Sequence, residues 1–259
     1  MTTFLDLHTP GRPLLMPNPW DAGSAKLLAS LGFQALATTS SGFAATLGRL
    51  DGNVTREEAI GHSRAIVEAV DVPVSADLEN GFADDAEGVA ETVRAAATAG
   101  LAGCSIEDWA GAEIYELEHA AERVAAAVEA ARADGLVITA RAENLIHDRD
   151  DLDDTIARLQ AFQQAGADVL YAPGVTKLDD IRRIVSSVDR PVNVLALPQA
   201  PPVSELAEAG VARISIGGGF AYVAMGAVAE ASRELLEDGT YGFWATAGAG
   251  VKAWRDANR

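Results

Sequence analysis

The sequence predicts a single (β/α)₈ barrel, and three observations carry that expectation. An Ala-rich amphipathic helix repeatedly ends in Ala-Gly or Leu-Gly, two or three residues pass, and a short apolar run follows. Two further apolar runs are entered through proline, at Val72-Pro73 and Arg190-Pro191. Apolar runs and helical stretches alternate strictly through eight units, which favours a closed barrel over an open doubly wound sheet.

In order, strands are expected over 14–17, 34–37, 74–77, 103–106, 137–140, 168–171, 192–195 and 213–216. Each is a short apolar run bounded by turns, as suits a strand buried on both faces. The glycines Gly32, Gly100, Gly166 and Gly210 each follow a helix and suit a left-handed cap. Helices are expected near 21–31, 55–70, 85–99, 119–133, 151–165, 177–187, 203–209 and 220–237. Asn18-Pro19-Trp20-Asp21 offers an N-cap, Pro at N1 and an acid at N3 for the first of them. Thr55-Arg56-Glu57-Glu58 is a capping box, and Thr176 with Asp179 repeats its logic. The acidic run 148–154 reads as a solvated helix start, where acids suit the dipole. The runner-up, a doubly wound sheet, lacks a G-x-G-x-x-G opening a helix after the first strand. With no linker or low-complexity segment, residues 1–259 are expected to form one domain. Its tail, 238–259, carries Tyr241, Phe243, Trp244 and Trp254, so it is expected to dock on the barrel or on a neighbouring subunit.

Composition narrows the function classes. The chain of 259 residues is 49% hydrophobic and 22% charged, enough for a large core. Its formal net charge of −18, with no basic stripe, repels nucleic acid and anionic membrane. An anionic substrate therefore needs a local positive centre, either a metal ion or a buried Arg. A single cysteine, Cys104, excludes an intramolecular disulfide and a cysteine metal cage; inside its strand it is expected to pack. There is no run of 18 apolar residues, and the opening MTTFLDLHTPGRP does not read as a signal peptide, so a cytoplasmic location is expected.

Barrels of this kind place chemistry at the C-terminal ends of their strands. The expected strand ends deliver Asn18, the run Thr38 to Gly42, Asp77 and Glu79, then Glu107 and Asp108. They continue with Arg141, Glu143 and Asn144, then Tyr171 and Asn193. Asp77 and Glu79 are two apart and point to one side in extended chain, and Glu107 follows on the next strand. Three carboxylates without His or Cys suit a hard cation that keeps several waters, Mg²⁺ or Mn²⁺. The plainer reading, acids that cap the next helix, suits Asp84 and Asp85 better. Arg141 closes an apolar run, where it either pairs with a neighbouring carboxylate or clamps a substrate carboxylate. Ser41-Gly42-Phe43 can present backbone N–H groups to an anion. His8, His62, His119 and His147 follow no metal-ligand spacing and read as solvated or packing residues; only His147 lies near the candidate site.

The ordered set Ser40-Ser41-Gly42, Ser75 to Phe82 (SADLENGF), Gly103 to Asp108 (GCSIED) and Thr139 to Glu143 (TARAE) resembles the isocitrate lyase/phosphoenolpyruvate mutase superfamily over about 12–237. The resemblance implies a Mg²⁺-dependent enzyme that makes or breaks a C–C or C–P bond beside a carbonyl. It implies Asp77 on the metal, Glu79 and Glu107 behind its waters, and Ser41, Gly42 and Phe43 on a substrate carboxylate. Arg141 would reach the substrate, and Asp51 matches the acid on the loop after strand 2. The resemblance also implies a last helix exchanged between subunits in a homo-oligomer, a dimer or tetramer. Two departures stand out. The lyases carry Lys-Lys/Arg-Cys-Gly-His after strand 4, where this chain reads Trp109 to Tyr115 (WAGAEIY). The phosphonate enzymes use a Lys and an Asn on that loop and a His after strand 6, where this chain has Tyr171-Ala172-Pro173.

The leading expectation is a Mg-dependent lyase that cleaves a C–C bond of a small α-keto or 2-hydroxy di- or tricarboxylate through an enolate-like species. Tyr115 or Tyr171 are its candidate proton donors, and Asn193 joins the substrate-binding candidates. C–P chemistry on a phosphonopyruvate-type acid is the second reading, weakened by the missing loop cation. A barrel that binds a keto acid without turning it over is the third.

Overall fold

The computed structural model describes residues 3–258; residues 1, 2 and 259 of the expected domain lie outside the described residues. Eight parallel strands form one sheet. They are β1 (Leu14–Met16), β2 (Leu36–Ala37), β3 (Val74–Asp77), β4 (Gly103–Glu107), β5 (Val137–Arg141), β6 (Val169–Tyr171), β7 (Val192–Leu195) and β8 (Arg213–Ser215). The paired order is β1-β8-β7-β6-β5-β4-β3-β2. The remaining seam, β1 to β2, is closed by single bonds: the Ala37 N–H donates to the Pro17 carbonyl at 3.1 Å. Asn18 stitches the same seam. Its Nδ2 donates to the Thr38 carbonyl at 3.0 Å, and its Oδ1 accepts from the N–H groups of Ile216 and Gly217, both at 2.9 Å.

Helices alternate with the strands: α1 (Ala22–Ser30), α2 (Ser40–Thr46), α3 (Arg56–Val67), α4 (Ala86–Thr98), α5 (Leu117–Ala131), α6 (Leu152–Gln164), α7 (Leu178–Ser187), α8 (Val203–Glu208), α9 (Gly219–Arg233) and α10 (Trp244–Ala257). Apolar residues such as Val89, Val93, Leu159, Phe162, Ile181 and Ile184 turn inward from the helices onto the sheet. Each such side chain contributes roughly 1.5–3 kcal/mol by leaving water. The post-helix glycines Gly32, Gly100, Gly166 and Gly210 all adopt positive φ, as their position predicts. Gly103 is needed for closeness instead: a Cβ there would lie 2.8 Å from the Val137 carbonyl oxygen.

Three local expectations are corrected. Asn18 does not cap α1; Asp21 does, accepting from the Ser24 N–H at 2.6 Å, because the Asn18 amide is committed to the seam. The capping box at Thr55 and Glu58 forms, but α7 begins at Leu178 with no side-chain cap, so Thr176 and Asp179 do not repeat it. A short helix, α2, occupies Ser40–Thr46 where an irregular strand end was expected; seven residues are too few for a readable period.

The C-terminal tail forms α10, which packs on α1 of the same chain, so an exchange of helices between subunits is not shown. Neither α9, the turn at Glu234–Asp238 that continues it, nor α10 buries its whole apolar surface: Val223 and Val228 on α9 are 69% and 67% exposed, Leu236 on the turn 84% and Trp244 on α10 62%. No helix among the described residues is long and apolar enough to cross a membrane.

The barrel interior departs from the usual packing of branched aliphatics. Ser75, Thr139, Asn193, Arg213 and Ser215 are buried there, polar and mostly small. They leave a shaft below the strand ends.

Candidate active site

Two connected cavities occupy the C-terminal face. The inner shaft, about 190 Å³, runs down among Ser75, Ser105, Tyr171, Arg213 and Ser215. An outer vestibule of about 620 Å³ is walled by Glu79, Glu107, Trp109, Glu143 and His147. Ser40, Asp51, Arg141 and Ile146 line both, so they mark the waist between them.

Arg141 organises that waist. Its Nη1 meets Asp77 Oδ1 at 2.9 Å, its Nη2 meets Glu107 Oε2 at 3.1 Å and its Nε meets Glu143 Oε1 at 2.8 Å. Its face lies over the Tyr171 ring, 5.3 Å from the centroid. Of the two readings open for Arg141, pairing with carboxylates is the one the geometry displays. Asp77 is held from below by its own N–H donating to Thr38 Oγ1 at 2.9 Å, and its Oδ2 lies 3.4 Å from the Ser40 N–H.

Glu79 is held in a left-handed backbone conformation, φ 49°, followed by Gly81 and Phe82 at φ 80° and 56°. A non-glycine residue there stores of order 1–3 kcal/mol, and such strain gathers at functional sites. Arg123, reaching from α5, fixes this turn. It donates to the carbonyls of Glu107 at 3.2 Å and Ala83 at 2.8 Å, and also to that of Asn80. Burial, then the charges of Asp77 and Asp51, push the Glu79 carboxyl up to about 7. Burial also raises Glu107 well above the carboxylate range, with Arg141 only partly offsetting it.

Five carboxylates (Asp51, Asp77, Glu79, Glu107 and Glu143) thus face one guanidinium. Glu79 Oε1 is buried with no hydrogen-bond partner. That orphaned oxygen and the surplus of hard oxygen donors fit a divalent cation. The carboxylates turn to Arg141 rather than to one another, and no cluster of three acidic, His or Cys side chains among the described residues forms a ready cage. Such a donor set suits a cation that keeps its water, with Asp77, Glu79 and Glu107 as the residues to hold it.

The remaining candidates divide. Asp51 stands at the waist and Tyr171 on the shaft wall. Burial pushes the Tyr171 phenol up to about 12, so it keeps its proton and is a weak acid. Tyr115 lies outside both linings: its hydroxyl donates to Asp84 Oδ1 at 2.5 Å and accepts from Asn80 Nδ2 at 3.1 Å. Ser41 lines the shaft, but Gly42 and Phe43 do not. The Gly42 N–H donates to Thr39 Oγ1, the Phe43 N–H to the Thr39 carbonyl, and the Phe43 ring stacks on His62. Asn193 also sits behind the wall: its Nδ2 donates to Ser215 Oγ and its Oδ1 accepts from Arg213 Nε, both at 2.9 Å. His147 stacks on Trp109 at 3.6 Å, forming one side of the vestibule.

Supporting residues that the sequence left unread include Arg123 and Arg158, the latter the buried partner of the strand-end acid Asp108. Arg158 Nη1 meets Asp108 Oδ2 at 3.0 Å, and Asp108 Oδ1 accepts from the Glu143 N–H at 2.8 Å. Arg213 is a further one. A lone Arg inside the run Ala212 to Ile216 carries the same signal that singled out Arg141.

The phosphoenolpyruvate phosphomutase family model matches residues 4–236. The chain is 32% identical over 209 residues to 2-methylisocitrate lyase of Escherichia coli K12, covering 73% of this chain and 70% of that protein. It is 31% identical to 2,3-dimethylmalate lyase of Eubacterium barkeri, covering 71% and 66%. A crystal structure from Burkholderia cenocepacia J2315, whose lyase/mutase assignment is itself provisional, shares 51% identity. It superposes with a TM-score of 0.89 over 93% of this chain and 89% of that one. A barrel with its acids and one arginine gathered at the strand ends, matched along nearly its whole length, places the chain among the enzymes of the isocitrate lyase/phosphoenolpyruvate mutase superfamily.

Proposed function

We propose that the protein is a divalent-metal-dependent lyase, using Mg²⁺ or Mn²⁺, that breaks a C–C bond of a small α-keto or 2-hydroxy di- or tricarboxylate. The observation that carries this reading is the waist: surplus carboxylates around Arg141, with Glu79 Oε1 buried and unpartnered. The lyases among its relatives, acting on 2-methylisocitrate and 2,3-dimethylmalate, support the bond type. Asp77, Glu79 and Glu107 would hold the cation, which would supply Lewis acidity when bound.

The chain's own residues supply the rest. Arg141, pinned by three carboxylates, holds the acids in place at the waist. In cleavage of a 2-hydroxy acid, the hydroxyl proton leaves to a base as the C–O bond becomes a carbonyl. The electron pair of the C–C bond passes to the departing acid as an enolate and is then protonated at carbon. Asp51, at the waist, is placed to receive the first proton. Tyr171 orients the departing acid and is placed for the second transfer. The vestibule lining contains no lysine, which disfavours transfer of a phosphoryl group.

The exposed apolar arm of α9 and α10 supports assembly into a homo-oligomer, a dimer or tetramer. The net negative charge supports a protein without nucleic-acid or anionic-membrane partners, and a cytoplasmic location is proposed with it.

The test offers 2-methylisocitrate, 2,3-dimethylmalate, oxaloacetate and phosphonopyruvate in turn with Mg²⁺, following pyruvate or the released acid. EDTA-sensitive turnover of a carbon substrate is expected. Turnover of phosphonopyruvate alone overturns the reading, and binding without any turnover leaves the non-catalytic barrel.

A further inference from the structure

Below the carboxylate tier the barrel holds a cation without an anion. Arg213 points inward from β8 and is 3% exposed. Its Nε donates to Asn193 Oδ1 at 2.9 Å, and its Nη1 donates to Thr139 Oγ1 at 3.1 Å and lies 3.4 Å from His8 Nε2. None of these partners is negatively charged. His8 is neutral: burial and then Arg213 push it down to about 3. Its Nδ1 lies 3.1 Å from the Phe4 carbonyl, so the proton sits there and the Nε2 lone pair faces the guanidinium. Arg213 forms no ion pair among the described residues; its hydrogen bonds run through Nε and Nη1, and the group lines the shaft.

An unpaired buried cation is costly, and buried charges are ordinarily paired. Burial lowers Arg213 only to about 10, so it stays charged at neutral pH. Two neighbours hold it in that state without neutralising it. Asn193 orients the fork from one side and His8 supports it from beneath. The free edge of the fork is therefore available to a ligand.

Its depth can be placed by its contact with Thr139. Thr139 and Arg141 lie two residues apart on one face of β5, so the Arg213 head sits roughly 6.6 Å below the Arg141 tier at ~3.3 Å per residue. Both arginines line the same shaft, whose walls also carry the Ser75 and Ser105 hydroxyls. A cation at the floor, hydroxyl donors on the walls and acids only at the top describe a slot for a carboxylate entering from above.

We propose that Arg213 is the floor of a buried anion subsite that takes the second carboxylate of a dicarboxylate whose other end lies at the tier of Asp77 and Arg141. The inference deepens the small-carboxylate reading above and rests on it for the ligand class alone, not for the reaction. It makes Arg213 a specificity-determining residue and Asn193 a positioning residue that acts through it.

Two inert probes of similar size isolate the charge: succinate and its monoamide, succinamate. Calorimetry with Mg²⁺ present is expected to show the wild-type protein binding succinate at least tenfold more tightly. In Arg213→Met that ratio should fall below twofold, with Arg213→Lys between the two. Equal binding of both probes by the wild type overturns the proposal, as does an unchanged ratio in a folded Arg213→Met. If Arg213→Met fails to fold, a crystal structure of the wild type with succinate decides. A carboxylate oxygen within hydrogen-bond distance of Nη2 supports the subsite, and a succinate clear of Arg213 overturns it. Binding is read without turnover, so a protein that prefers succinate but cleaves nothing keeps this subsite and loses the lyase reading. A lyase indifferent to Arg213 does the reverse.

Discussion

Replacing Arg158 by Met isolates the buried pair that Arg158 forms with Asp108 behind the strand ends. The Arg158 side chain is 3% exposed and that of Asp108 1%. Arg158 donates to Asp108 Oδ2 at 3.0 Å, to Asp154 Oδ2 at 2.8 Å and to the Tyr115 carbonyl at 2.8 Å. Methionine fills a similar volume but leaves Asp108 with one donor, the Glu143 N–H. Removing one partner of such a buried pair costs about 3–5 kcal/mol. The Asp154 end is partly open to water and adds little. Even with Arg158 present, burial holds Asp108 up to about 6. In the variant Asp108 therefore moves toward its neutral form, which sets the cost nearer the lower bound. For a chain of this size each kcal/mol is worth roughly 2–4 °C in Tm, so a loss of roughly 6–12 °C is expected. Urea and thermal unfolding at neutral pH measure it. The double variant Asp108→Asn with Arg158→Met should recover most of the loss, because no charge is left buried. A single-variant cost below about 1 kcal/mol, or a double variant no better than the single, refutes the assignment.

Two further outcomes follow from the same geometry. Glu79 titrates near 7 in the fold against 4.5 when unperturbed, so the folded protein binds more protons than the unfolded chain between those values. Its contribution to stability is therefore fully present below about pH 4.5 and lost as pH rises through 7. In EDTA, Glu79→Gln should be more stable than wild type at pH 8 by about 1–2 kcal/mol, after discounting a full shift worth about 3. The advantage should vanish near pH 4.5; a variant that is less stable than wild type at pH 8 would contradict it. For the C-terminal arm, light scattering should find the wild type as a dimer or tetramer, and Val228→Glu with Leu236→Glu should shift it toward monomer. A monomeric wild type removes the assembly proposal.

The barrel and the acid tier were legible because they follow period and position. Glycine caps mark the helix ends, apolar runs mark the strands, and polar residues gather at the strand tips. The sequence could not tell which way the tips would turn. Asp77, Glu107 and Glu143 were legible as separate acids, but their convergence on Arg141 depends on side-chain direction across three strands. Gly42 and Phe43 sit at an anion-binding position by motif, yet a seven-residue helix uses their N–H groups internally. Tyr115 was plausible by its place on the loop, and a contact with Asp84 thirty-one residues away turns it outward. Arg123 and Arg158 look like ordinary polar residues of amphipathic helices. Only tertiary packing shows that they reach inward to hold the loops under the acids. Asn18 was legible as polar and local, while its role in closing the seam spans 198 residues of chain.

The acids Asp77, Glu79 and Glu107 at the waist are expected to hold a divalent cation. Paramagnetic Mn²⁺ titrated into metal-free protein and followed by electron paramagnetic resonance tests it most directly, with Asp77→Asn as the comparison. Stoichiometric Mn²⁺ uptake by the wild type, displaced by Mg²⁺, is expected, with loss of that uptake in a folded Asp77→Asn. A wild type that takes up no Mn²⁺, or an Asp77→Asn variant that binds it as tightly, would contradict the account.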